Sequence, residues 1–512
     1  MKKAMVLRIG CLLIALAMLF CLGACSDDSS GSANNGGYGG AATVNAYNIV
    51  NGTQLSDPNL RYVMIYNPKI FDENSYGDYS SLTFGALGTQ VDVFANRGDG
   101  LDDETEYYMG ISQDEWLKYL PDNTKLEGDR AEVFGRDYAL GTAKQFYYSP
   151  SGSNMGAREK TTFFCQHVGT YCYIWAPDFS VPTSTLAQIG KEFDEKIYSY
   201  VVQTFGDPRF VGTTGKINLL FYPMEGGLLG YFALLDLFTD AELPQAGLSG
   251  STCNTGDAIL NINSLLATGS NGFDLLYSTL AHELQHLINF SAYFDTVNGA
   301  IMNTWLNEAM SGFIEAELYT NSKELSGQYV SFNNSALIRN GQSLYNFKNQ
   351  AGDIGVYGSV YYFTKYLERL DRRSVFSSVL NYWRDSYSST LTTHEALAKS
   401  VTSTIYDKIN NSLDYSSMYL SFATDEEEWV SKLCLNFYLS MLSNKDNIAE
   451  YSHINNQSLL YDSMDGAKIE GGGRVIVALS GTTFEIPAGS DRGLLYIGLD
   501  RNFNPITDFV YK

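Results

Sequence analysis

The segment Ala281–Phe290, AHELQHLINF, places two of the chain's five histidines four residues apart. Four residues is about one helical turn, so His282 and His286 can serve one ion only if this segment is an α-helix. The flanking residues agree. Leu276, Leu280, Leu284, Leu287 and Ile288 form an apolar stripe opposite the two histidines. One side of such a helix is expected to be core and the other to line a cleft. Two imidazoles so placed can reach one zinc ion at about 2.0–2.1 Å each. Glu283 is offset by one residue, which suits an acid/base that touches metal-bound water rather than the metal. The competing reading is a polar helix face with hydrogen-bonded histidines.

Two histidines and one water leave a tetrahedral site short of a ligand. A candidate stands downstream in NTWLNEAMSGFIEAELY (Asn303–Tyr319), where Glu308 follows His286 by 22 residues. That interval lets the first helix end, a loop turn, and a second helix return antiparallel. Leu306, Ala309, Phe313 and Ala316 give the second helix an apolar face, while Glu308 and Glu315 stack on another. Glu308 is read as the third ligand. Glu315 either hydrogen-bonds a ligating histidine or is an exposed surface glutamate.

The pattern His-Glu-x-x-His followed by WLNEAMS resembles the glutamate-ligand zinc peptidases, among them thermolysin and the aminopeptidase N-like enzymes. AHELQHLINF, WLNEAMSGFIE and YGSVYYFTKYLERL (Tyr357–Leu370) look, in that order, like blocks of the hyicolysin family of secreted bacterial metallopeptidases. The resemblance spans roughly residues 161–444 and is sharp only in those blocks. It implies one zinc ion and peptide-bond hydrolysis, with His282, His286 and Glu308 as ligands and Glu283 as general base. Related peptidases also supply a tyrosine or histidine to the oxyanion, and Tyr357 is the candidate here, with Tyr361 and Tyr362 as rivals. His394 is set aside, because Thr392 and Glu395 read as a capping box at a helix start. Thermolysin-like enzymes carry Asp four residues after the ligand Glu, where this chain has Gly312, so that role must move, with Glu315 available. The exopeptidase element Gly-x-Met-Glu-Asn is missing, and PMEGG (Pro223–Gly227) matches it only faintly. An aminopeptidase would need Glu225 or Glu315 to hold the substrate amine. A third reading is a catalytically silent adhesin or structural lipoprotein on the same fold.

Composition and the N-terminus bear on the setting. With 34 basic against 57 acidic residues the net charge is −23, which argues against a nucleic-acid partner. Lys2, Lys3 and Arg8 precede an apolar run, Ile9–Leu22, too short to span a bilayer comfortably. The run ends in Leu22-Gly23-Ala24-Cys25, similar to the bacterial lipoprotein box, in which Cys25 is lipidated; plain secretion and an uncleaved anchor compete with it. The expectation is a monomer at the bacterial cell envelope, on the outer membrane or cell surface, held through its N-terminal lipid and acting on protein or peptide substrates. The acidic loop Asn96–Glu106, with Arg97-Gly98-Asp99, lacks the spacing of a calcium-binding loop and reads as a solvated turn. Calcium is left without support.

The length, 512 residues, suggests two or three domains. The expected class is α+β: a zincin-type catalytic domain, part mixed sheet and part mostly helical, with an N-terminal all-β domain and a small C-terminal β module. The segments are a leader at 1–24, a Gly/Ser/Asn-rich tether at 25–42, the β domain at 43–155, the metallopeptidase domain at 156–450 and the β module at 460–512. TTFFCQHVGTYCYIWAPD reads as a hairpin in which Cys165 and Cys172 form a disulfide or remain buried thiols, and His167 near its turn reads as structural. STLAQIGKEFDEKIYSYVVQTFG reads as a helix capped by Ser184 or Thr185 and ended at Gly206. KINLLFYPM and DAILNINSL read as strands, the second as an edge that could pair with extended substrate.

Overall fold

The computed structural model describes residues 42, 44–70, 81–91, 137–151, 158–209, 215–225, 227–245, 252–254, 256–268, 273–295, 302–319, 323–347, 355–371, 375–385 and 392–512. The leader, Cys25, most of the tether and the Arg97-Gly98-Asp99 loop lie outside them.

The N-terminal strands are β1 (Ile49–Asn51), β2 (Gln54–Ser56), β3 (Tyr62–Tyr66) and β4 (Leu82–Thr83). Next come β5 (Ala143–Tyr148), β6 (Glu159–Val168), β7 (Cys172–Ala176), β8 (Ile217–Tyr222), β9 (Gly230–Phe232) and β10 (Ile259–Asn263), which form one sheet in the order β5-β6-β7-β8-β10-β9. β7, β8 and β10 run parallel, while β5, β6 and β9 pair antiparallel with their neighbours. β8 (INLLFY) and β10 (ILNIN) are buried along their whole length, as strands covered on both faces must be.

β10 is not the sheet edge that its sequence suggested. β9 lies outside it, with Leu260 opposite Phe232 and Ile262 opposite Gly230. A three-residue strand carries too little alternation to be recognised in sequence. At Gly230 a Cβ would sit 2.8 Å from Thr279 Cγ2, so only glycine lets this edge close on the helix beneath it.

The β6–β7 hairpin forms as expected, with a bulge between Cys165 and His167. Cys165 and Cys172 are buried free thiols rather than a disulfide. Burial pushes Cys165 up to about 11 and Cys172 well above the usual thiol range. The following helix starts at Thr183 with Pro182 as its N-cap, and no side chain caps it. It continues through a π-helical stretch, Phe193–Tyr198, to Phe205 and ends at Gly206, whose φ is 89°. His167 lies on Gly190 of this helix, so closely that a Cβ there would overlap the ring.

Among the described residues from Asp274 to Ser443 the regular elements are helices, and Asn444 ends the last α-helix in the left-handed conformation. Two helices matter most: the histidine helix (Asp274–Asp295) and the glutamate helix (Thr304–Leu318). Residues 275–292 and 304–316 are buried on every side, so the expected cleft-lining face of the histidine helix is covered. Some polar residues of the two helices bond across to each other, His282 to Glu315, His286 to Asn307 and Ser311, and Asn289 to Asn307. Among the described residues no helix is long and apolar enough to cross a membrane.

The C-terminal strands are β11 (Lys468–Ile469), β12 (Arg474–Ala478), β13 (Thr483–Glu485), β14 (Leu495–Leu499) and β15 (Phe509–Tyr511). N- and C-terminal β elements are both present, and they interleave in one sheet, β1-β15-β14-β3-β12, with β4 pairing β11 and β2 pairing β13. Alternation explains its position. Val63, Ile65, Val475 and Val477 face a small outer core with Phe84, Phe484 and Tyr496. Met64, Tyr66, Ile476 and Leu495 face the main core that runs through the helices. At this join Tyr66 Oη donates to Ser431 O at 2.9 Å. Arg474 is 1% exposed, with its guanidinium 4.8 Å from the Tyr438 ring and no hydrogen-bond partner on its side-chain nitrogens among the described residues. The class is therefore α+β: a mixed-sheet subdomain and a mostly helical one in zincin fashion, with β elements at both ends.

Candidate metal centre

The histidine helix and the glutamate helix pack together, and one turn of each builds the centre. His282 Nε2 and His286 Nε2 are 2.9 Å apart, and Glu308 Oε2 lies 3.3 Å from the first and 3.7 Å from the second. All three residues are buried. Glu308 Oε2 has no hydrogen-bond partner among the described residues. A buried carboxylate oxygen left in that state calls for a cation. The triangle of donors has a circumscribed radius of about 1.9 Å, so a point just off its plane is about 2.0–2.1 Å from all three, the length of a zinc bond. The donor set, two imidazoles and one carboxylate, is the one zinc takes in catalytic sites with an open position.

Each histidine is held from behind. Glu315 Oε1 meets His282 Nδ1, so the carboxylate seven residues beyond Glu308 reaches the ring that Gly312 cannot. His286 Nδ1 faces Asn307 Oδ1 at 3.2 Å and Ser311 Oγ at 3.1 Å. A proton on Nδ1 leaves Nε2 bare for an ion in both rings. Asn307 and Ser311 escaped the sequence reading. The available signal was their place on the glutamate helix, immediately before Glu308 and three residues after it.

Electrostatics point the same way. Burial disfavours the imidazolium of His282, but the adjacent Glu315 and Glu308 outweigh it and hold its pKa well above the ordinary value. Burial lowers His286 to about 4. Glu315 is raised by burial, with His282 opposing and Glu308 and Glu283 adding to the rise. Three buried carboxylates, those of Glu283, Glu308 and Glu315, thus cluster with two histidines. Such a cluster carries an excess of negative charge that a divalent cation offsets.

The surroundings of the other candidate residues are as follows. Tyr357 is buried, its ring edge-on to Phe347 with centroids 4.7 Å apart. Tyr361 shares its hydroxyl with that of Tyr329 at 3.1 Å, and Tyr362 stacks on Tyr329. His394 lies within a Thr392–Glu395 capping box and packs near Trp305 and Tyr345. Glu225 is exposed in the turn after β8.

No protein-family model matches the chain. Among curated proteins it is similar to the neutral metalloprotease ShpI of Staphylococcus hyicus, with 28% identity over 223 residues. The match covers 41% of this chain and 48% of that protein, so the chain spans about half the length of the curated relative it matches. A metal-capable His–His–Glu cluster in a zincin-like fold thus goes together with a distant likeness to a metalloprotease.

Proposed function

We propose that the chain is a zinc metalloendopeptidase of the hyicolysin type, anchored at the bacterial cell envelope through a lipid on Cys25 and hydrolysing extracytoplasmic proteins or peptides. The observation that carries the reading is the triangle of three buried donors, one of them a carboxylate oxygen with no hydrogen-bond partner among the described residues. His282, His286 and Glu308 would hold the ion. When bound, zinc polarises the scissile carbonyl and lowers the pKa of its water.

The chain's own groups do the rest. Glu283 takes the water's proton and delivers it to the leaving amine. Glu315 holds His282 with Nε2 turned inward. Tyr357 is proposed as the donor to the developing oxyanion. An aminopeptidase is disfavoured, because Glu315 is engaged with His282 and Glu225 is exposed. A silent scaffold is disfavoured too, since burying three carboxylates together costs stability without return.

The test measures bound zinc and casein cleavage for the wild type and Glu283→Gln. Stoichiometric zinc in both, with cleavage by the wild type alone, is expected. Zinc-free protein, or equal cleavage by the two, refutes the assignment. Anchoring is tested separately: Cys25→Ala is expected to move the protein out of the membrane fraction.

A further inference from the structure

An imidazole ligates through Nε2 only when its own proton sits on Nδ1. For His286 that proton needs an acceptor, and two groups face it, Ser311 Oγ and Asn307 Oδ1. A hydroxyl donates or accepts with equal ease and so selects neither tautomer. A primary amide does select. With Oδ1 toward His286 the ring keeps its proton on Nδ1 and offers Nε2 to an ion. Turned over, the amide donates to Nδ1 and leaves the proton on Nε2, where it blocks the ion.

Two further amides are coupled to this orientation of Asn307. Asn307 Oδ1 also accepts from Asn289 Nδ2, and Asn289 Oδ1 accepts from Gln285 Nε2 at 2.8 Å. Gln285 and Asn289 stand four apart on the histidine helix, on adjacent turns. All three amides are buried, so water cannot satisfy one that turns alone. They run donor to acceptor in a single direction, from Gln285 through Asn289 to Asn307, and the chain ends on His286.

We infer that Gln285 and Asn289 are positioning residues: with Asn307 they form a polarity relay whose direction is linked to the ion-binding tautomer of His286. The inference rests on the reading of His282, His286 and Glu308 as a metal site. Run in reverse, the three amides keep every bond to one another but give His286 the tautomer that rejects the ion. Ion binding and amide direction are therefore linked, although neither Gln285 nor Asn289 belongs to the donor triangle.

The test reverses polarity at nearly constant shape. Asn289→Asp replaces the donor with an oxygen that only accepts. The new carboxylate takes Nδ2 of Asn307, turns that amide over and presents a donor to His286. Gln285→Glu, one step further from the ion, reverses the same chain and serves if the first variant does not fold. Asn307→Asp is the conservative change that preserves an acceptor for both donors. Zinc dissociation constants are measured by chelator competition, and the His286 tautomer is read from long-range ¹H–¹⁵N spectra of the metal-free protein.

Asn289→Asp and Gln285→Glu are each expected to weaken zinc binding by about tenfold or more and to move the His286 proton from Nδ1 to Nε2. Asn307→Asp is expected to keep the wild-type tautomer and most of the affinity. An unchanged tautomer in both reversing variants overturns the relay, as does an equal loss of affinity in all three. If the wild type binds no zinc the metal reading fails instead, and the tautomer comparison still decides the relay.

Discussion

Replacing Glu315 with glutamine probes the support behind the metal rather than the metal itself. Glu315 is fully buried and meets His282 through Oε1, while its Oε2 has no hydrogen-bond partner among the described residues. Glutamine retains the acceptor toward His282 Nδ1 and removes only the charge. A hydrogen bond to a charged group contributes about 1.5–3 kcal/mol and a neutral one about 0.5–1.5 kcal/mol, so the difference is about 1–1.5 kcal/mol. Converted to binding, that is a zinc affinity about 5- to 13-fold weaker. In the metal-free protein the same change removes one of three clustered carboxylates, so its stability should hold or rise. Chelator competition gives the first quantity, and urea unfolding of the stripped protein gives the second. Unchanged zinc affinity, or a metal-free protein destabilised by more than about 1 kcal/mol, would refute the role assigned to Glu315.

Arg474→Met should stabilise the protein by about 1–3 kcal/mol in urea unfolding. The desolvation cost of an unpaired buried guanidinium is several kcal/mol and exceeds the roughly 2 kcal/mol that a buried cation–π contact returns; a clear loss of stability would contradict this. His167 gives a pH effect. Its pKa is lowered by burial, with Asp194 opposing, so folding favours the neutral ring. Its contribution is present above the unfolded value near 6.5 and lost as pH falls through the lower folded value. The loss of stability between pH 7 and pH 5 should be shallower in His167→Gln, and identical slopes would rule the histidine out.

The two histidines were legible because the helical period leaves little choice about which residues share a face. Glu308 was legible because a second amphipathic helix stood at a workable interval. Glu315 was half legible: its spacing put it on the right face, but an exposed glutamate has the same local pattern. Gln285, Asn289, Asn307 and Ser311 were invisible. In a string of letters, buried amides bonded to one another look the same as amides facing water. The burial of both site helices on every side was missed for the same reason, since several of their polar residues bond across to the other helix. β8 and β10 announced themselves by apolar runs, yet nothing local says which strand flanks which, and β9 was too short to register. The interleaving of β1 and β3 with β12, β14 and β15 lay furthest from reach, because long-range pairing leaves no periodicity behind.

That interleaving sets an order of events during synthesis. Asn48 bonds Asp508 across a separation of 460 residues, and β3 is flanked on both sides by strands of the C-terminal segment. At about 5–20 residues per second, translation leaves β1 and β3 waiting roughly half a minute to a minute and a half for their partners. During that time β3, apolar on both faces, offers two unpaired edges to any chain nearby. The sheet closes only when the last strands arrive, so a chain stopped before β14 loses its C-terminal residues and also strands the ones made first.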